Sequence, residues 1–304
     1  MPMPLQSRAT ARAVPSPREA LRTLGDLVAL TKPRLSGMVV STTAAGMWLA
    51  PEQPSAIRSA AVLLGTGMVV GAANVLNNYL ERDVDALMRR TWGRPLPSGR
   101  IEPATALLLG IAMPVFALPM LALAANPLTA FLAALALVSY AFVYTPLKRH
   151  STAALFVGAV PGAIPPLMGW TAATGGVDAR GLALFALLAV WQLPHFLAIS
   201  IYLKDDYQRG GLKVFALVHG ERAAKAWALA TSALLVPVGV LPAFLGMAGW
   251  GYGAVAAALG GGLTAAAASG LRLPDGQTRW ARNFFLATLL YLVAVFIALF
   301  LGAR

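Results

Sequence analysis

The sequence predicts an all-α integral membrane protein, a bundle of about nine transmembrane helices, and three observations predict it. Hydrophobic residues make up 58% of the 304 and charged residues only 12%, against about 25% charged in an ordinary soluble domain. The apolar residues fall in long runs, without the alternation of apolar and polar positions that a membrane β-strand requires. The basic residues cluster in the breaks between runs, mostly on one side. This pattern excludes a soluble enzyme and a disordered chain. With no cysteine, disulfides and thiolate metal sites are excluded as well.

A bilayer-spanning helix needs about 20 apolar residues. Nine runs approach this, near 35–50, 57–80, 104–124, 127–147, 153–174, 181–203, 223–246, 248–270 and 283–302. The first is short, and only Gly246-Met-Ala-Gly-Trp-Gly251 divides the seventh from the eighth. Of the 24 Lys and Arg, only Arg58, Arg180 and Arg304 fall on the side opposite the N-terminus. Basic loops stay cytoplasmic, so the N-terminus is read as cytoplasmic and the C-terminus as outside. The net charge of +12 is then topology: the lipid bilayer is the partner, and no nucleic acid is. Residues 1–30 read as a basic cytoplasmic tail and 31–304 as a single transmembrane domain. The tail lacks the apolar core of a secretory signal. Its Arg and Ser content also suits a mitochondrial transit peptide, but a bacterial inner-membrane protein is the simpler reading.

There are only 12 Asp and Glu, and five form two clusters. Glu81, Asp83 and Asp85 follow the second run; Asp205 and Asp206 follow the sixth, at the same membrane face. Carboxylates beside hydrocarbon are costly and usually functional. Asn77, Glu81 and Asp85 are spaced i, i+4, i+8 and share one helix face. Asn74 extends that row one turn deeper, and Asp83 points elsewhere. An amide and two carboxylates offer hard oxygen ligands, which suit Mg²⁺ bridging to phosphates and not zinc. The competing reading is a solvated helix end whose acids pair with Arg82, Arg89 and Arg90.

A rigid Pro- and Gly-rich loop follows, Thr91–Gly99, and its Arg94 can grip a phosphate by paired hydrogen bonds. On spacing alone, a topology-setting arginine is the simpler account of Arg94. The second cluster reads Lys204-Asp205-Asp206-Tyr207, then Arg209, Gly210-Gly211 and Lys213. Lys148 and Arg149, after Tyr144-Thr-Pro-Leu, add positive charge to the same face. No nucleotide-binding glycine pattern is present. Oxygen ligands and cations over an apolar interior suit a polyprenyl diphosphate. Its allylic C–O bond would ionise there, with water kept away from the cation.

At these residues the chain resembles the UbiA-type intramembrane prenyltransferases. Their first motif, Asn-Asp-x-x-Asp-x-x-x-Asp, is matched by Asn77-Asn78-x-x-Glu81-x-x-x-Asp85. Their Arg-Pro-Leu-x-Ser-Gly is matched by Arg94-Pro-Leu-Pro-Ser-Gly99. Asn78 and Glu81 depart from the general motif, and Asp205-Asp206 replaces the family's second Asp-x-x-x-Asp. Tyr144-Thr-Pro-Leu-Lys148-Arg149, Trp191-Gln-Leu-Pro194-His195-Phe196 and Lys204-Asp205-Asp206-Tyr207 are similar to the branch of the family that prenylates haem. The resemblance implies a nine-helix bundle with a central cavity, Mg²⁺, farnesyl diphosphate, haem b as acceptor and haem O as product. Handover to haem A synthase is the onward step it raises. It implies metal ligands at Asn77, Glu81, Asp85, Asp205 and Asp206, with Lys148 joining the first three as catalytic. It implies substrate contacts at Arg82, Arg94, Tyr144, Arg149, Tyr207, Lys213, Trp191 and His195.

His195 alone of three histidines lies inside a run; His150 and His219 sit in or beside polar loops. Imidazole is a common haem ligand, while a hydrogen bond to a carbonyl freed by Pro194 is the alternative. Two other functions compete. One is a prenyltransferase acting on an aromatic quinone precursor or chlorophyllide. The other is a transporter, which predicts charges near the midplane and paired half-repeats.

Overall fold

The computed structural model describes residues 16–303. Helices follow one another in the order α1 (Pro17–Leu30), α2 (Pro33–Trp48), α3 (Ala56–Leu80), α4 (Arg82–Leu87), α5 (Pro103–Ala124) and α6 (Pro127–Val138). A wide π-helical turn (Ser139–Tyr144) leads into α7 (Thr145–Leu147) and α8 (Ala154–Thr174). Then come α9 (Ala179–Tyr202), α10 (Lys204–Arg209), α11 (Phe215–His219), α12 (Glu221–Phe244), α13 (Trp250–Leu271) and α14 (Thr278–Gly302). Proline in the first turn starts α1, α2, α5 and α6, where its missing N–H costs nothing. Asn126 and Asp178 cap α6 and α9 through their side chains.

Eight helices among the described residues are long and apolar enough to cross a membrane. They coincide with the second to ninth apolar runs. The first run forms α2, which at 16 residues falls short of that length. The only β pairing among the described residues is an isolated bridge between Ala248 and Ala303.

Half of the expected basic tail is a helix. Ser16 and Glu19 close a reciprocal capping box at the start of α1. Leu30 is buried with Val75, Leu96 and Ile101, while Leu21, Leu24 and Val28 stay exposed beside Arg18 and Arg22. Such a helix suits the membrane interface. Residues 1–15 lie outside the described residues.

Two apolar cores form the bundle. One joins α2, α3, α5, α6 and α8; the other joins α8 and α9 to α12, α13 and α14. α2 and α8 touch through their backbones: a Cβ on Gly46 would strike the Pro166 carbonyl, and one on Gly169 the Thr43 carbonyl. Small residues allow this approach where lipid supplies no hydrophobic drive for helix association. Between the two cores a cavity of about 580 Å³ remains.

Candidate functional site at the mouth of the cavity

α3 ends at Leu80 and α4 begins at Arg82, yet the row of polar residues survives the break. Glu81 N–H still bonds Asn77 O (2.9 Å) and Asp85 N–H bonds Glu81 O (2.7 Å). Asn77, Glu81 and Asp85 are all buried, and Asn77 Nδ2 donates to Glu81 Oε2 at 2.8 Å.

Each member of the row faces a cation from a different segment. Lys148 Nζ lies 2.6 Å from Glu81 Oε1. Arg94 donates to Asp85 Oδ2 at 2.6 Å. Lys32 Nζ donates to Asn77 Oδ1 at 3.0 Å. The acids do pair with cations, but at a buried helix end rather than a solvated one, and none of these partners is Arg82, Arg89 or Arg90. Arg94 and Lys148 balance the two carboxylates, and Lys32 adds a further positive charge when it is protonated.

By its place in the sequence Lys32 is one more basic residue ahead of the first apolar run. The signal it carried is the Lys-Pro step: the residue before proline is barred from the right-handed helix region. Lys32 takes φ 49°, ψ 64°, a left-handed conformation rare for a side chain of this size. The elbow is locked by amides of α3. Asn74 Nδ2 donates to Thr31 O and Ser36 Oγ, and Asn78 Nδ2 donates to Leu30 O and Asn74 O. An aspartate at position 78 could make neither donation, which accounts for that departure from the family motif. Burial, aided by Arg94 and Lys148, pushes the Lys32 ammonium down to about 7.

Lys148 stands at the end of a second row. Pro146 has no N–H to give, and the helix widens into the π turn before it. Tyr140 and Tyr144 sit with ring centroids 5.4 Å apart, and Lys148 Nζ lies 4.9 Å from the Tyr144 ring centre. Burial opposes the charge on Lys148, but Glu81 and Tyr140 outweigh it and hold the ammonium above the ordinary lysine range. Thr145 Oγ1 accepts from Asn77 Nδ2 (3.2 Å) and donates to Tyr140 O, tying this row to the first.

The second acid cluster comes to the same place. Val84 and Met88 pack with Leu212, Tyr207 and Val214; Arg89 N–H donates to Asp206 Oδ1 at 3.3 Å, and Lys213 N–H to Lys148 O at 2.9 Å. Burial raises the Tyr207 phenol, against Arg90 and Lys148. Asp206 also pairs with Arg209 (3.3 Å), while Asp205 is exposed. Arg82 and Arg149 turn to a shallow cleft on the flank. Arg82 donates to Tyr79 O and stacks on its ring, and Arg149 grips Asp83 with two nitrogens at 2.7 and 2.8 Å. Asp83 therefore points away from the row, as its spacing predicts.

Among the described residues no three His, Asp or Glu side chains gather as a ready-made metal-ligand group. The donor set nonetheless suits Mg²⁺. Glu81 Oε1 is a buried carboxylate oxygen 2.6 Å from Lys148 Nζ. With Asp85 and Asn77 beside it, every available ligand is a hard oxygen.

Beneath this mouth lies the cavity, with Asn74, Tyr140 and Tyr144 at its upper end and Thr66 and Met168 deeper. Asn74 and Thr66 are eight residues apart on α3, about 12 Å along a helix. α2 and α14 form one wall, where Leu35, Met38, Val293 and Ile297 line the cavity and are also exposed, so it opens sideways. On the opposite wall Trp191 and His195 stack with ring centroids 4.8 Å apart. Trp191 Nε1 donates to Thr288 O at 2.6 Å, and His195 Nδ1 bonds Thr288 Oγ1 at 2.8 Å. His195 thus does make a helix–helix hydrogen bond, but to a hydroxyl of α14 rather than to a carbonyl freed by Pro194.

A helical membrane bundle whose charged cluster lies about one helical turn from an apolar chamber, Asn77 beside Asn74 and Lys148 beside Tyr144, is built to hold an anionic head above a hydrocarbon tail, which is what an intramembrane prenyltransferase requires. The chain belongs to the UbiA prenyltransferase family, whose profile matches residues 39–301. It is 63% identical over 296 residues to the protoheme IX farnesyltransferase of Anaeromyxobacter sp. (strain Fw109-5), covering 97% of this chain and 98% of that one. Two solved structures share the fold at 17% identity. One, a study of digeranylgeranylglyceryl phosphate synthase in membranes, superposes with a TM-score of 0.79 over 92% of this chain and 98% of that one. The other, a UbiA homologue from Archaeoglobus fulgidus bound to GPP and Mg²⁺, gives 0.63 over 92% and 99%.

Proposed function

We infer that this chain transfers the farnesyl group of farnesyl diphosphate to a vinyl group of haem b, with addition of water, giving haem O and diphosphate. The observation that carries this reading is the vertical order of the site. A buried mouth of two carboxylates and three cations stands directly over an apolar chamber walled by Trp191 and His195. The near full-length identity to a protoheme IX farnesyltransferase supports haem as the acceptor.

Asn77, Glu81 and Asp85 would hold Mg²⁺, with Asp205 and Asp206 offering oxygens from the facing elbow. When bound, Mg²⁺ supplies a Lewis-acid counterion for the diphosphate. Lys148, Arg94 and Lys32 hold the remaining phosphate charge, so electron density moving onto the leaving diphosphate meets fixed positive groups. The C1–O bond of farnesyl breaks towards an allylic cation, and the vinyl terminal carbon attacks C1. Water captures the cation left beside the porphyrin and loses a proton, which supplies the hydroxyl. Tyr140, Tyr144 and the apolar wall keep other water from the allylic cation. The one-sided distribution of Lys and Arg supports an inner-membrane protein with this mouth facing the cytoplasm. The product, now more lipophilic, would pass to haem A synthase through the bilayer.

Purified protein supplied with farnesyl diphosphate, haem b and Mg²⁺ should yield a haem heavier by one farnesyl and one hydroxyl group in mass spectrometry, and EDTA should abolish it without unfolding the protein. Turnover on a quinone precursor with none on haem would overturn the choice of acceptor. Full turnover after EDTA would remove the metal.

A further inference from the structure

His195 has two ring nitrogens, and only one of them is accounted for. Thr288 Oγ1 stands 2.6 Å from Phe285 O and 2.8 Å from His195 Nδ1. A threonine hydroxyl has a single proton. An oxygen–oxygen contact of 2.6 Å needs that proton between the two atoms, so it lies on the Phe285 carbonyl side. Thr288 Oγ1 can then only accept from His195, and Nδ1 must carry the hydrogen. In the neutral ring the lone pair is left on Nε2. Among the described residues Nε2 has no hydrogen-bond partner, and it is not sealed in protein, because His195 lines the cavity.

The ring is also prevented from turning. Trp191 and Phe285 each lie 4.8 Å from it between centroids, and Trp191 is itself anchored on the Thr288 carbonyl. Thr288 is fully buried. One residue of α14 therefore fixes both aromatic faces of the wall and the proton of the imidazole. A histidine that donates one N–H to an oxygen and aims the other nitrogen into open space has the arrangement of a metal ligand supported by its neighbour. His195 lies seven residues before the end of α9, about 10 Å below the mouth. That is a fitting depth for a porphyrin centre whose edge vinyl reaches the level of the diphosphate. Among the residues lining the cavity, His195 is the one imidazole.

We propose that His195 Nε2 is the axial ligand of the haem iron while haem b waits for farnesyl transfer, and that Thr288 is the positioning residue that fixes its tautomer. This rests on haem b being the acceptor. Ligation holds the porphyrin at one height and one tilt beneath the diphosphate; it changes no bond of the reaction.

The test is spectroscopic and needs no turnover. Ferric haem b is titrated into the full-length protein in nanodiscs, and the Soret region and electron paramagnetic resonance are recorded. The wild type should show histidine-ligated haem. His195→Ala should lose that signature and bind haem at least about tenfold more weakly, and added imidazole should restore the spectrum. Thr288→Val should weaken haem binding by about tenfold and broaden the signal, while Thr288→Ser should match the wild type. His195→Gln serves as the second variant should alanine fail to fold. A wild-type spectrum in His195→Ala or His195→Gln overturns the ligation, and wild-type affinity and spectrum in Thr288→Val overturn the positioning role. Haem O formation measured in parallel separates the two levels. If product forms while the spectrum ignores His195, only this proposal falls; if the wild type forms no prenylated haem, the acceptor falls with it.

Discussion

Replacing Glu81 by glutamine changes one oxygen to nitrogen at the centre of the site. In the protein as it stands, Glu81 Oε2 takes the Asn77 amide at 2.8 Å and Oε1 lies 2.6 Å from Lys148 Nζ. Glutamine keeps the shape but removes the charge, leaving Lys148 with two further cations, Arg94 and Lys32, around it. Removing one partner of a buried ion pair costs about 3–5 kcal/mol. The Lys148 side chain keeps 18% exposure, so the lower end of that range applies, and the protein should still insert and fold. Loss of a charge-stabilising group at the reacting centre should lower kcat by at least about a hundredfold, or about 2.7 kcal/mol at 1.36 kcal/mol per tenfold. Half-maximal Mg²⁺ should rise at the same time. Asp83→Asn is the matched control, since it makes the same chemical change two residues on. Asp83 is 64% exposed and paired with Arg149 on the flank, so its loss should cost under about 1 kcal/mol and leave turnover within twofold. Arg149 holds the Asp83 carboxyl below the usual carboxylate range. Its small stabilisation is therefore present at neutral pH and fades as pH falls through that lowered value. Product haem is quantified by chromatography and mass spectrometry, and folding by circular dichroism and Tm in detergent. Wild-type turnover in Glu81→Gln, or equal losses in both variants, would refute the assignment of Glu81 to the reaction.

Two other perturbations follow from the geometry. Lys148→Met should raise KM for farnesyl diphosphate about tenfold, near 1.4 kcal/mol, with the product unchanged; steady-state kinetics at saturating haem measure it. Gly169→Ala should lower Tm, because its Cβ meets the Thr43 carbonyl where α2 and α8 cross. A forced fit of this kind costs about 1–3 kcal/mol, and an unchanged Tm would mean that the two helices separate easily.

Much of the site is legible because it follows from local spacing. The i, i+4, i+8 row of Asn77, Glu81 and Asp85 needs only helix geometry, and it persists across the break at Glu81. The outward turn of Asp83 follows from the same period. Lys32 was not legible, because its place depends on a left-handed residue held by asparagines more than forty positions away. The partners of the acids were not legible either: Lys148 and Arg94 reach them from separate loops, whereas the nearer Arg82 folds back on Tyr79. Helix α1 was hidden by its low apolar content, although its Ser16-x-x-Glu19 box is a start signal in plain view.

The membrane bundle, its apolar runs and the shared end at which its acids lie follow from residue order alone, because burial in lipid forces helices and translocation sorts positive charge. Which cation meets which carboxylate, and which nitrogen of His195 lacks a partner, is settled by how the helices pack. Those outcomes depend on where distant helices cross, and a hydroxyl on α14 leaves no trace in the residues around a histidine on α9.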